Sequence, residues 1–210
     1  ASKGAVELLF YSYNESYLKQ IVINAASTRA GNVIGGGDWS ESRIIPDLVN
    51  SLINNEQIEI RNPNATRPWQ HVLEPLRGYL LLAKILYEKN GNQFIGSYNF
   101  GPKISNNVSV QNLVKKGYEI WGAKYSKIKK SEDQKLVNFK ESNLLFLNWD
   151  KAFHYLDWSP LLNFGDTLKY TMDWYKKYNS NNHSVEDITK SQITLFESEI
   201  LSSYDKSSKR

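Results

Sequence analysis

Apolar positions along this chain recur in two rhythms, one of about 3.6 residues and one of two. Between residues 2 and 19, Val6, Leu9 and Tyr13 fall on one side of a helix, and the run from 21 to 28 (Ile-Val-Ile-Asn-Ala-Ala-Ser-Thr) reads as a buried strand. Helical spacing returns over 43–54, with Ile45, Leu48, Val49 and Leu52 inward. Ile58–Arg61 and Trp69–Val72 read as short strands. Pro75 suits the first turn of a helix running to about Glu88, where its missing N–H costs little. The buried face expected of that helix is Leu76, Tyr79, Leu80, Ala83 and Leu86. Ser97–Gly101 then reads as a strand, 108–121 as a helix, Leu144–Leu147 as a strand and 149–156 as a short helix. An amphipathic helix is predicted over 165–178, with Leu168, Met172 and Tyr175 inward. The polar stretch 124–144 fits neither rhythm and reads as a β-rich or loop insertion. Residues 179–184 form a polar linker, and 185–201 one more helix before a Lys/Ser-rich end. Strands alternating with helices predict an α/β architecture with a partly parallel sheet.

Composition narrows the chemistry. The chain has 210 residues and no cysteine, which rules out disulfides, thiolate metal sites and a cysteine nucleophile and suits a reducing cytoplasm, the expected location. It contains no apolar run of about 18 residues and opens on no signal peptide, so neither a membrane span nor a membrane partner is expected. The net charge is +4, but the lysines are scattered, and only Lys127-Ile128-Lys129-Lys130 forms a cluster. A nucleic-acid partner is therefore not expected; the basic balance suits a solvated surface and an anionic ligand. Ala1-Ser2-Lys3-Gly4 has no initiator Met and leads straight into a helical pattern, so residue 1 reads as a cut within a longer protein.

Several residues could carry chemistry. The loop Arg29–Trp39 follows a strand and holds three glycines at 35–37. Their spacing fits neither Gly-x-Gly-x-x-Gly nor the P-loop, so this is not read as a cofactor phosphate loop. Arg61 and Arg67 flank a Pro/Asn turn, and fixed guanidiniums suit phosphate oxygens. Spacing alone leaves open whether they clamp a diphosphate or make ordinary surface ion pairs. Asp38 and Glu41 are either acids or solvated loop carboxylates. His71, His154 and His183 are far apart and match no metal spacing, so no metal site is expected. The pairs Trp149/Phe153 and Trp174/Tyr178 sit at helical spacing and read as core.

Taken together, these segments resemble a known family. Ala-Ser-Lys at a helix start, a strand into Arg-Ala-Gly-Asn-Val, Ile44-Ile45-Pro46, Arg67-Pro68-Trp69-Gln70-His71-Val72, Tyr98-Asn99-Phe100-Gly101 and Leu156-Asp157-Trp158-Ser159-Pro160 with Trp174-Tyr175 look like the C-terminal part of extended short-chain dehydrogenase/reductases, the NAD-dependent epimerase/dehydratases. Within that family, Arg29–Trp39 and Arg61–Leu76 look most like the CDP-glucose 4,6-dehydratase branch. Branches acting on dTDP- or UDP-sugars typically carry Arg-Asp-Trp-x-Tyr-Val-x-Asp at that place.

The resemblance implies a fold and roles. The fold would be an incomplete Rossmann-type sheet with a small α/β substrate-binding region. Residues 1–30 would be the last part of a dinucleotide-binding domain, 31–178 mainly the nucleotide-sugar region with returning core elements, and 179–210 a linker and C-terminal helix. Lys3 matches the lysine of Tyr-x-x-x-Lys, which in the family bonds the nicotinamide ribose and lowers the tyrosine's pKa. That makes Lys3 the implied catalytic and NAD-binding residue; the matching tyrosine would precede Ala1. Asn32, Arg43, Arg61 and Arg67 fall where relatives hold the nucleotide sugar, Arg67 for the diphosphate and Arg61 against the pyrimidine or its ribose; Asn99 is a further candidate. The implied lyase reaction oxidises the sugar at C4 with NAD, eliminates water across C5–C6 and returns the hydride to C6, giving CDP-4-keto-6-deoxyglucose. The chain alone is expected to be inactive, because the family's NAD loop and catalytic Tyr lie upstream of Ala1. Relatives pair through a bundle that includes the Tyr-x-x-x-Lys helix, so a homodimer through 2–19 is consistent with the resemblance. Another nucleotide-sugar epimerase or dehydratase, or a non-catalytic nucleotide-sugar-binding protein, remains an alternative. Without upstream neighbours the 21–28 strand would leave an apolar edge, which predicts poor solubility.

Overall fold

The computed structural model describes residues 2–88, 90–125, 129–130 and 145–207. In chain order the elements are α1 (Ser2–Tyr13), β1 (Ala26–Ala30), β2 (Asn32–Ile34), α2 (Ile44–Asn54), β3 (Glu59–Ile60), β4 (Thr66–His71), α3 (Leu73–Tyr87), β5 (Gly96–Phe100), β6 (Asn107–Ser109), α4 (Val110–Trp121), β7 (Lys129–Lys130), α5 (Asp150–Leu156), α6 (Phe164–Asn179) and α7 (Val185–Ser207). A π-helical turn, Asn14–Leu18, extends α1. The chain is α/β, and three strand pairs are parallel: β1 with β5, β2 with β4 and β3 with β7. It divides into two compact units. One comprises Ala1–Ala30, Glu74–Gly101 and Leu147–Pro160; the other comprises Gly31–Leu73, Pro102–Phe146 and Leu161–Arg210.

In the first unit, β1 and β5 run side by side from Ala26↔Gly96 to Ala30↔Phe100. Leu82 of α3, Tyr98 and Phe100 of β5, Ala152 and Leu156 of α5, and Trp158 form its core. Trp158 lies edge-on to Phe100 at 5.0 Å, and the Arg77 guanidinium covers its ring at 5.5 Å. Two predictions about this unit need correction. The strand begins at Ala26, not Ile21: Val22 has φ 55°, Ile21, Val22 and Ile23 are exposed, and β5 offers no partner before Gly96. Helix α3 buries only part of the face predicted: Tyr79 and Leu86 pack against the core, Tyr79 edge-on to Phe100 at 5.5 Å, but the face is turned. Gly78 and Leu82 point inward while Leu76 and Leu80 are exposed, Leu80 at 73%. Close approach sets that turn. A Cβ on Gly78 would lie 2.3 Å from Cδ1 of Phe100, so the side without a side chain is the side that fits the sheet.

In the second unit, β4 is central: it runs parallel to β2 from Asn32↔Trp69 and antiparallel to β6 from Thr66↔Ser109. Pro68 sits where pairing passes from β6 to β2, the place in a central strand where a missing donor does least harm. This handover is why the strand reaches back to Thr66 rather than starting at Trp69. The β6 strand itself went unpredicted; three residues ahead of a helix carry little periodic signal. Leu48, Val49, Leu113, Val114, Leu168, Met172 and Tyr175 pack together with Ile188 of α7 in the core of this unit. Leu168, Met172 and Tyr175 thus face inward as their spacing predicts. Residues 145–147 form no strand, while Leu144, most of the 124–144 stretch and the Lys127-Ile128 pair lie outside the described residues.

Local signals set the helix ends. Asn55 ends α2 at φ 55°, and Gly122 ends α4 at φ 82°, both left-handed C-caps. Asn163 caps α6, accepting the Asp166 N–H at 2.9 Å and donating from Nδ2 to the Asp166 carboxylate at 2.5 Å. Asn163→Ala is expected to lower stability by about 1 kcal/mol. A shifted urea midpoint at constant slope would show it, and no shift would mean that the cap is replaced by water.

Candidate functional site

The second unit holds a cavity of about 610 Å³. Its floor is the end of β2, from Asn32 to Ile34, with Trp69 and Val72 beside it. Its rim is the loop from Gly35 through Asp38 to Arg43, and its end wall is the first turn of α2, Ile44–Pro46. Loop and helix start bring polar groups to one mouth. Asp38 accepts from the Ser40 N–H and from Nη1 of Arg43, both at 3.0 Å. Burial alone would raise the Asp38 carboxyl; these donors and the Arg43 charge outweigh it and hold the group below the usual carboxylate range. Asp47, in the first turn of α2, is pushed up by burial, opposed by the Ser42 backbone and the charge of Arg61. At the start of α2 only Ile44 and Ile45 carry an N–H without an intrahelical acceptor, since Pro46 has none to give; these two and the positive dipole end lie at the cavity wall.

The glycines of this loop fit protein, not a cofactor. A Cβ on Gly35 would lie 2.8 Å from Val72, and one on Gly36 would lie 2.1 Å from the indole of Trp174. The loop is therefore seated on α6. There the Tyr175 hydroxyl accepts from the Asp38 N–H at 3.1 Å and donates to the Asp38 carbonyl at 2.7 Å. Burial pushes the Tyr175 phenol up to about 12, so it stays protonated and can go on donating.

Six residues were singled out from the sequence, and the structure groups them unequally. Asn32 and Arg43 both line the cavity. Arg61 donates from Nη2 to the Ser42 carbonyl at 3.0 Å, one residue from Arg43, and so braces the rim. Arg67 does not line the cavity; it is 8% exposed on β4, and its Nη1 donates to the Thr66 carbonyl at 2.7 Å. Lys3 and Asn99 belong to the first unit, with Lys3 exposed on α1. There Asn99 accepts from Arg29 at 3.3 Å and donates to the Asn148 carbonyl at 2.9 Å.

That unit also holds a polar group the sequence reading missed. Glu7, one helical turn beyond Lys3, accepts from Arg29 Nε at 2.8 Å, Ser27 Oγ at 2.7 Å and Ser97 Oγ at 2.9 Å. The Arg29 guanidinium, with the two hydroxyls, holds the Glu7 carboxyl down at about 2. This set fixes the helix bearing Lys3 against the strand pair. The signal was present in the register, since Ser27↔Ser97 and Arg29↔Asn99 put four polar residues on one face.

Lys3, which the resemblance links to NAD, lies exposed on α1, and the Gly35–Gly36 turn leaves no open cradle, being filled by Val72 and Trp174. Nor do the described residues contain a group of three or more His, Asp or Glu placed to hold a metal ion. No described helix is long and apolar enough to cross a membrane.

Comparison with known proteins sharpens the picture. Residues 1–100 match the NAD dependent epimerase/dehydratase family. Over 182 residues the chain is 40% identical to CDP-glucose 4,6-dehydratase of Salmonella typhimurium, covering 84% of this chain and 49% of that enzyme. It is 26% identical over 188 residues to human dTDP-D-glucose 4,6-dehydratase, covering 89% of this chain and 50% of the relative. The chain thus spans about half the length of the curated relatives it matches. Among solved structures it resembles the dTDP-glucose 4,6-dehydratase DesIV of Streptomyces venezuelae, crystallised with NAD, with a TM-score of 0.68 at 22% identity over 85% of this chain and 51% of that one. It resembles UDP-glucose 4-epimerase of Thermotoga maritima with a TM-score of 0.66 at 19% identity over 84% and 52%. At these identities the two structures speak for the fold alone.

Proposed function

We propose that the chain, whose residues 1–100 match the NAD dependent epimerase/dehydratase family, serves a CDP-glucose 4,6-dehydratase, holding the nucleotide sugar during its conversion to CDP-4-keto-6-deoxyglucose and water. The observation that carries this reading is the cavity lined together by Asn32, Arg43 and the first turn of α2. An arginine fixed by a carboxylate at 3.0 Å and a helix start together suit a diphosphate. The choice of CDP over dTDP is supported by 40% identity to the Salmonella enzyme against 26% to the human one over nearly the same span.

In this reading Asn32 orients the sugar, Arg43 and the α2 amides take the diphosphate, and Arg61 stiffens the rim through Ser42. Arg67 keeps the diphosphate role that the resemblance gives it, and Lys3 and Asn99 keep theirs toward NAD and the nucleotide sugar. That unit, with residues 1–30, serves as the last part of the dinucleotide domain, and 31–178 serves mainly as the sugar-nucleotide region. NAD, when bound, supplies the nicotinamide that takes and returns a hydride. A homodimer through α1, whose Val6, Leu8, Leu9 and Tyr11 are exposed, belongs to the same reading.

Calorimetry of the protein with CDP, UDP and dTDP is the test. CDP is expected to bind best, and Arg43→Ala to weaken it about tenfold, the size of one charge-assisted hydrogen bond to phosphate. Equal binding of all three nucleotides, unchanged in Arg43→Ala, would overturn the assignment.

A further inference from the structure

We propose that Tyr175 is a positioning residue for the cavity, holding the Gly35–Arg43 loop in its ligand-ready shape, and that α7 supports it from behind. This inference rests on the cavity being the nucleotide-sugar site. The loop joining β2 to α2 has no regular secondary structure from Gly35 to Arg43, yet it delivers Asp38 and Arg43 to the rim. A free loop of that length would have to be ordered at each binding event, at a cost in affinity.

Helix α6 orders it beforehand at three places. Gly36 lies flat on the Trp174 indole, so closely that no Cβ fits. Asp38 has both its backbone N–H and its carbonyl bonded to the one Tyr175 hydroxyl. Trp39 stands edge-on to the Tyr175 ring at 5.2 Å and tilts over Tyr178 at 5.3 Å. With its backbone fixed, the Asp38 carboxylate is aimed at Arg43, and the guanidinium is set in turn. The Tyr175 ring is fully buried, so the hydroxyl has no freedom to drift.

The seat is itself propped. Trp174 Nε1 donates to Thr189 Oγ1 of α7 at 3.1 Å, and its ring stacks on Tyr178 at 5.4 Å. Ile188 of α7 is buried in the same core, and Gln192 donates to the Tyr170 carbonyl. The C-terminal helix thus backs the aromatic row on which the loop rests.

Tyr175→Phe keeps the ring and removes both hydrogen bonds. Amide hydrogen exchange over residues 36–43 is expected to quicken about tenfold, while α4 keeps its protection. CDP is expected to bind about tenfold more weakly by calorimetry. Leu113→Val serves as the control: it trims the same core from α4, away from the loop and from α7. A purely structural role for Tyr175 predicts the same behaviour from both variants, whereas positioning predicts a loop and affinity effect in Tyr175→Phe alone. Unchanged loop exchange, or faster exchange with unchanged CDP affinity, overturns the proposal. Should the parent protein bind no nucleotide while loop exchange still quickens in Tyr175→Phe, the cavity reading falls and the clamp on the loop is upheld.

Discussion

Gly36→Ala is expected to destabilise the protein by about 3 kcal/mol, the upper end of the usual cost of overpacking. The added methyl would fall 2.1 Å from both Cγ and Cδ2 of Trp174 and 2.7 Å from its Cβ. A rotamer change moves the ring atoms but leaves that Cβ in place, so relief requires a backbone shift of the loop or of α6. Trp174 has little room to yield, being 5% exposed, stacked on Tyr178 and bonded to Thr189. The loop is the softer partner, and its displacement would carry Asp38 away from Tyr175. Stability and CDP affinity should therefore fall together. Urea denaturation within about 0.5 kcal/mol of the parent would sink this account, because it would show that Gly36 does not lie against the indole.

This contact also shows where the sequence stops being legible. The α/β order, the inward face of α6 and the start of α2 follow from periodicity, since each is a local pattern with one reading. Helix α3 has more apolar positions than its buried face can take, and that face is set by Phe100, a residue on β5 that packs on both Gly78 and Tyr79. The Ile21–Ile23 run has strand composition, but pairing begins at Ala26, where β5 begins. Both failures concern partners distant in sequence. The same holds at the site. Asn32 and Arg43, which both line the cavity, came from the resemblance: Asn32 lies inside the Arg-Ala-Gly-Asn-Val run and Arg43 stands just before Ile44-Ile45-Pro46. Tyr175 was legible only as a buried aromatic: its hydroxyl finds Asp38 across 137 positions. The Glu7 cluster joins α1 to two strands for the same reason, and only the register of Ser27 and Arg29 against Ser97 and Asn99 hints at it.

Acidification from pH 6.5 towards 4 is expected to remove about 3 kcal/mol of stability through one residue, His71. The ring closes β4 at 1% exposure and lies edge-on to Tyr170 at 5.4 Å. Its Nε2 has no hydrogen-bond partner, and the Leu73 N–H approaches Nδ1 only at 3.4 Å. Nothing here favours an imidazolium, and burial pushes the pKa from 6.5 down to about 4. The sign follows from proton counting. Between those two values the unfolded chain binds a proton that the folded chain refuses, so stability rises with pH across the window and is lost as pH falls through it. A difference of about 2.5 units, at 1.36 kcal/mol each, sets the size at about 3 kcal/mol. Glu7 acts separately, since its carboxyl is depressed to about 2 and its stabilising effect fades only below the ordinary carboxylate range, near 4.5. Urea midpoints of the parent and of His71→Gln, taken between pH 7 and 5, isolate the histidine. The parent should lose stability as pH falls and the variant should not. Parallel curves would mean that water or a donor reaches the ring in solution, and that β4 ends less tightly than its burial implies.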